Sequence, residues 1–125
     1  MNFKNILIPV DNDGFAEDAI DKGLELAKLS GGSITALHVS AKAVSDETGE
    51  RSTIEEVIAK GKEAGIQVSD KIEIGSPAEI IIKESNNYDI IVMGTAGKKR
   101  FFVGSVAKEV IKSAACPVIV VKSQR

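Results

Sequence analysis

The sequence offers little from which to build a disulfide, a metal centre or a membrane span. Cys116 is the single cysteine, so no internal disulfide can form, and a lone thiol suits a reducing compartment; the expected location is the cytoplasm. His38 is the single histidine, and neither a Cys/His cluster nor a nucleophile with a base accompanies it, which points to a structural role. No apolar run approaches the ~18 residues that cross a bilayer, and the short one after Lys4 lacks a small-residue cleavage site, so no membrane is expected as a partner. Neither charge sign dominates. With 16 basic and 18 acidic residues the formal net charge is -2, which leaves no electrostatic footprint for wrapping nucleic acid. Neither G-x-x-x-x-G-K-[ST] nor G-x-G-x-x-G occurs, excluding a P-loop and a dinucleotide fingerprint. Internal repeats, linkers and low-complexity tracts are missing too.

What is present is an ordinary soluble composition, 43% hydrophobic and 27% charged, in 125 residues. That length accommodates one domain, residues 1–125, with a core of its own. Short apolar runs alternate with helical patterns, the sequence signature of a parallel sheet covered by crossover helices. The first strand is ILIPV, Ile6 to Val10. Phe15, Ala16, Ala19, Ile20, Leu24 and Ala27 then recur at helical spacing, with Asp13 as candidate N-cap and Gly31-Gly32 closing the helix. Ser33 to Val39 forms the second strand. A polar connection over 42–52 leads into a helix carrying Ile54, Val57 and Ile58, which ends near Gly65. In the third strand, Ile66 to Ile74, apolar and polar residues alternate, predicting one wet face near a sheet edge. Ser76-Pro77-Ala78-Glu79 combines a capping serine, a proline at the first helical position and a glutamate placed to return the capping bond. DIIVMG is the fourth strand, a helix runs from about Val103 to Ala114, and PVIVV is the fifth strand.

Right-handed crossovers then predict a doubly wound α/β fold, an open sheet of five parallel strands in the order 3-2-1-4-5 with helices on both faces. The winding reverses between strands one and four. Ligands of such folds favour the crevice beyond the carboxyl ends at that reversal, here PVDND after strand one and MGTAG after strand four. Gly94 and Gly97 allow close backbone approach, and Gly104-Ser105 opens a helix whose free N–H groups favour an anion. Asp11 offers an acceptor for a sugar hydroxyl or base amine, and Lys98, Lys99 and Arg100 offer cations for phosphates. Plainer readings stand beside these: a glycine after a strand also serves as a turn, a basic triplet also forms a solvated loop, and Phe101 and Phe102 also pack as core or partner contacts. Cys116, beside Pro117, fits a small buried hydrophobe better than a reactive thiol.

ILIPVDND, GSPAE, DIIVMGTAGKKRFFVGSVAKEVI and CPVIVV together resemble the universal stress protein family over nearly the whole chain. The resemblance implies the doubly wound fold, a homodimer, and membership of a family divided between ATP-binding and non-binding groups. The binding group carries G-x2-G-x9-G-[ST] after strand four. Carried over, the first two glycines fall on Gly94 and Gly97 and the final pair on Gly104 and Ser105. The resemblance further implies that Pro9, Val10, Asp11, Val39, Met93 and Val106 line the adenine and ribose end, and that the cofactor is ATP, with or without Mg.

One departure bears on the site. Between Gly97 and Gly104 lie residues 98–103, six positions where the motif has nine. The strand and helix that anchor the two ends are kept, so the shorter loop can still surround a phosphate, with Lys98, Lys99 and Arg100 standing in for lost donors; it can equally close the crevice. The expected function is an adenine-nucleotide-binding stress regulator with slow ATPase activity at most, since no residue is convincingly placed to position water. The alternative is a dimeric interaction module that binds no nucleotide. In either case Val118, Ile119, Val120 and Val121 form an apolar edge strand that a second copy would cover through a two-fold interface.

Overall fold

Ile6, Leu7 and Ile8 are consecutive and all fully buried, as happens when a strand is covered on both faces. In the computed structural model, which describes residues 3–10, 17–40, 49–94 and 104–122, they form the middle of strand β1 (Asn5–Val10). The chain continues through α1 (Glu17–Ser30), β2 (Ser33–Ser40), α2 (Gly49–Ala64), β3 (Val68–Ile74), α3 (Pro77–Glu84), a single 3-10 turn, β4 (Ile90–Gly94), α4 (Ser105–Ser113) and β5 (Val118–Val121). All pairings are parallel, and the order is β3-β2-β1-β4-β5, as the crossover rule predicts.

Side-chain alternation divides the core between two layers. Ile6, Ile8 and Val10 of β1 join Ile34 and Ala36 of β2, Ile90 and Val92 of β4, and the inner stripes of α1 and α2. Leu7, Leu37, Ile91 and Met93 point the other way, onto Ile81 of α3 and Ala107 and Val110 of α4. Each fully buried branched side chain is worth about 1.5–3 kcal/mol of transfer free energy, so these two layers supply most of the driving force. Layer spacing is tight on the α1 side: a Cβ on Gly23 would lie 2.3 Å from Cδ1 of Ile8. Helix ends follow local chemistry. Gly65 takes φ +75°, and the N–H groups of Gly65 and Ile66 turn back to the carbonyls of Lys62 and Gly61 at 3.2 and 2.8 Å, closing α2 with a Schellman motif.

Three expectations need correction. Ile66 does not open the third strand: its N–H is spent on the helix cap, and β3 starts at Val68. Along that strand Val68 packs into the core, yet Ile72 and Ile74 are 41% and 57% exposed. Their side of the sheet is wetter than alternation alone implies, while the opposite side is covered by an ion pair from Lys71 to Glu84. Ser76 does occupy the N-cap of α3 with Pro77 behind it, but its side chain makes no capping hydrogen bond. The proposed cap Asp13 lies outside the described residues.

Candidate functional site

The crevice begins where β1 and β4 part. β1 pairs with β2 along its whole length, from Asn5↔Ser33 to Val10↔His38, but among the described residues its pairing with β4 covers only Ile6↔Ile90 and Leu7↔Ile91. Pro9 contributes no N–H to either neighbour, and a proline is tolerated in this central strand because it stands next to its end. Beyond the last pair stand Pro9 and Val10 on one side and Met93 and Gly94 on the other.

The structure brings part of the expected site together and divides the rest. Val39, Met93 and Val106 share one apolar cluster, with Met93 buried and the other two half-exposed at its border. Gly104 is the extended N-cap of α4, and its carbonyl accepts the first intrahelical bond, from the Lys108 N–H at 3.0 Å. Helix geometry leaves the N–H groups of Ser105, Val106 and Ala107 with no acceptor inside α4, at the positive end of its dipole. An apolar wall therefore adjoins a set of amide donors. Val10 belongs to the opposite layer, packed with Ile8 and Ala36 among the α1 and α2 contacts, so its backbone rather than its side chain is what it can present to the crevice. Asp11, Gly97 and Lys98, with Lys99, Arg100, Phe101 and Phe102, lie outside the described residues.

His38 has a more specific place than its lone occurrence suggested. It is buried, and its Nδ1 lies 3.3 Å from the carbonyl oxygen of Val10, the residue paired with it across the two strands. A carbonyl only accepts, so Nδ1 carries the hydrogen of this bond. Cys116 is half-buried at the other end of the sheet, where burial, aided by the charge of Asp89, pushes its thiol pKa up and keeps it protonated. No group of three or more His, Cys, Asp or Glu among the described residues is placed to hold a metal ion. Among the same residues no helix is long and apolar enough to cross a membrane.

The model of the universal stress protein family matches residues 2–122. The chain belongs to that family. A putative universal stress protein of Staphylococcus haemolyticus is 33% identical over 144 positions, covering 99% of this chain and 87% of the relative. That span exceeds the 125 residues of this universal stress protein, so the relative carries residues that it lacks. A universal stress protein of Archaeoglobus fulgidus, solved in complex with dAMP, superimposes with a TM-score of 0.79 at 26% identity, over 98% of this chain and all of the other. A second structure from that organism reaches a TM-score of 0.82 at 23% identity, covering 96% of this chain and 99% of its own, and attests the shared fold.

Proposed function

We propose that this universal stress protein is a regulator that binds an adenine nucleotide, ATP with or without Mg, at the carboxyl ends of β1 and β4. The observation that carries the reading is the apolar cluster of Val39, Met93 and Val106 lying against the amide end of α4. A flat, largely apolar base suits the first and a phosphate suits the second. Pro9 and Val10 border the same crevice through their backbone, and Gly94 follows Met93 at the end of β4. Asp11, Gly97 and Lys98 complete the set as sugar acceptor, close-approach turn and cation. The dAMP complex of the Archaeoglobus fulgidus relative supports the ligand class. Hydrolysis is slow at most, and a cytoplasmic location fits the single thiol.

The regulator acts as a homodimer through β5. Among the described residues Val118, Ile119, Val120 and Val121 form the outer strand of the sheet, on which Ile119 is 41% exposed. Beside it runs a groove lined mainly by apolar side chains, among them Leu26, Leu29, Val92 and Ile119, with Lys22 and Glu25 also lining it and Leu29 81% exposed. A second copy covers both this outer strand and the groove. A dimeric interaction module without nucleotide is the second reading, favoured by the spacing between Gly97 and Gly104, where residues 98–103 stand in place of the nine positions of the nucleotide-binding motif.

Mass spectrometry of the denatured, freshly purified protein, with calorimetric titration of ATP into stripped protein and a Gly97→Val variant, tests the nucleotide. Adenine nucleotide in the wild type and loss of ATP binding in the variant support it. Absence of binding by the wild type leaves the interaction module. An Ile119→Lys variant that sediments as a monomer supports the β5 dimer, and an unchanged dimer refutes it.

A further inference from the structure

We propose that His38 is a positioning residue for the nucleotide, acting through the Val10 carbonyl; the role rests on the nucleotide reading above. Three observations lead to it. First, Ile34, Ala36 and His38 occupy successive positions on one face of β2, and the first two are plain core residues. His38 is as buried as its neighbours, at 5% exposure. An aliphatic residue would fill this site without bringing a polar ring into it, so packing alone does not call for histidine. Second, the ring reaches a backbone acceptor, with Nδ1 at 3.3 Å from the oxygen of Val10. Third, that oxygen belongs to the last peptide unit of β1. Because a peptide unit is planar, holding the Val10 carbonyl holds the last peptide plane of the strand at the border of the crevice.

The same residue also places the other wall. Val39 follows His38 and points to the opposite face, into the cluster with Met93 and Val106. A hydrogen bond across the ends of β1 and β2 therefore holds, through one residue, both the exit of β1 and the apolar side of the crevice. Binding energy depends on such preorganisation, since a site that must be ordered on binding loses affinity.

Three substitutions separate positioning from packing. His38→Asn keeps an N–H one bond from Cγ, where Nδ1 stands, but loses ring volume. His38→Phe keeps the ring and loses the donor. His38→Gln moves the donor one bond further out. ATP affinity is measured by calorimetry beside thermal unfolding of each full-length protein. The expected result is that His38→Asn binds ATP within about threefold of wild type although it is less stable, while His38→Phe and His38→Gln lose about tenfold, the scale of one hydrogen bond. Affinities that simply follow stability, or wild-type affinity in His38→Phe, overturn the proposal. Should the variants fail to fold, ¹⁵N-labelled wild-type histidine decides: an Nδ1–H tautomer whose resonances move on ATP addition supports the role, and an Nε2–H tautomer or unmoved resonances at saturation overturns it. If wild type binds no ATP while the Nδ1–H tautomer is present, the nucleotide reading itself has failed and the positioning role falls with it.

Discussion

Asp89 holds the start of β1 through Asn5. Its Oδ2 accepts the Asn5 N–H at 2.9 Å and the Lys4 N–H at 3.0 Å, while the Asn5 carbonyl accepts the Asp89 N–H at 2.8 Å. This clasp lies at the amino end of the sheet, opposite the candidate crevice. Asp89→Ala is therefore expected to lower stability by about 1–2 kcal/mol, the scale of a charge-assisted hydrogen bond at an accessible site, and to leave ATP affinity unchanged. Urea unfolding and calorimetry check the two halves separately.

Gly23→Ala is expected to be destabilising for a steric reason. The added Cβ would stand 2.3 Å from Cδ1 of Ile8, so either that methyl must change rotamer or α1 must lift from the sheet. Overpacking of this kind costs about 1–3 kcal/mol. A second substitution, Ile8→Val, removes the clashing methyl and should recover part of the loss, which thermal unfolding of the double variant measures.

Ser105→Glu separates helix stability from ligand binding. A carboxylate at the first position of α4 faces the positive end of the helix dipole and should stabilise the fold by about 0.3–1 kcal/mol. The same charge repels phosphate, so ATP affinity should fall by about tenfold or more. Ser105 is exposed, which removes packing as a competing cause. Parallel loss, or parallel gain, of stability and affinity would contradict the placement of the phosphates.

Lys71 supplies a pH test at the β3 edge. Its Nζ lies 3.0 Å from Oε2 of Glu84, and this hydrogen bond, outweighing some desolvation, holds the ammonium above its ordinary value of 10.5. A raised lysine pKa contributes stability that is fully present below 10.5 and is lost as the pH climbs through the raised value. Lys71 is partly exposed, so solvent screens the pair and the effect is small. The stability difference between wild type and Lys71→Met should be constant from neutrality to about pH 10 and shrink above it; a difference that widens with alkalinity would assign the effect elsewhere.

Much of this architecture is legible in the residues. Uninterrupted apolar runs such as Ile6-Leu7-Ile8 and Ile90-Ile91-Val92 mark strands covered twice, and strand order follows from crossover handedness. The place of the crevice follows from that order. Less legible are features decided by tertiary geometry. Val10 closes β1 and Val39 stands one residue before the end of β2, but alternation sends them into opposite layers. Ser76 carries the residues of a capping box without making its bond, and Ile66 trades strand pairing for a helix cap. The bond from His38 to Val10 depends on the β1–β2 register, which sequence periodicity does not specify to a single residue.

The central claim is that an adenine nucleotide sits between the ends of β1 and β4. The most direct test is an ATP titration of ¹⁵N-labelled protein followed through its amide resonances. The account predicts saturable shifts at Val39, Gly94, Gly104, Ser105 and Val106, with the amides of Lys4 and Asn5 unmoved; no shifts, or shifts confined to the groove between α1 and β5, would contradict it.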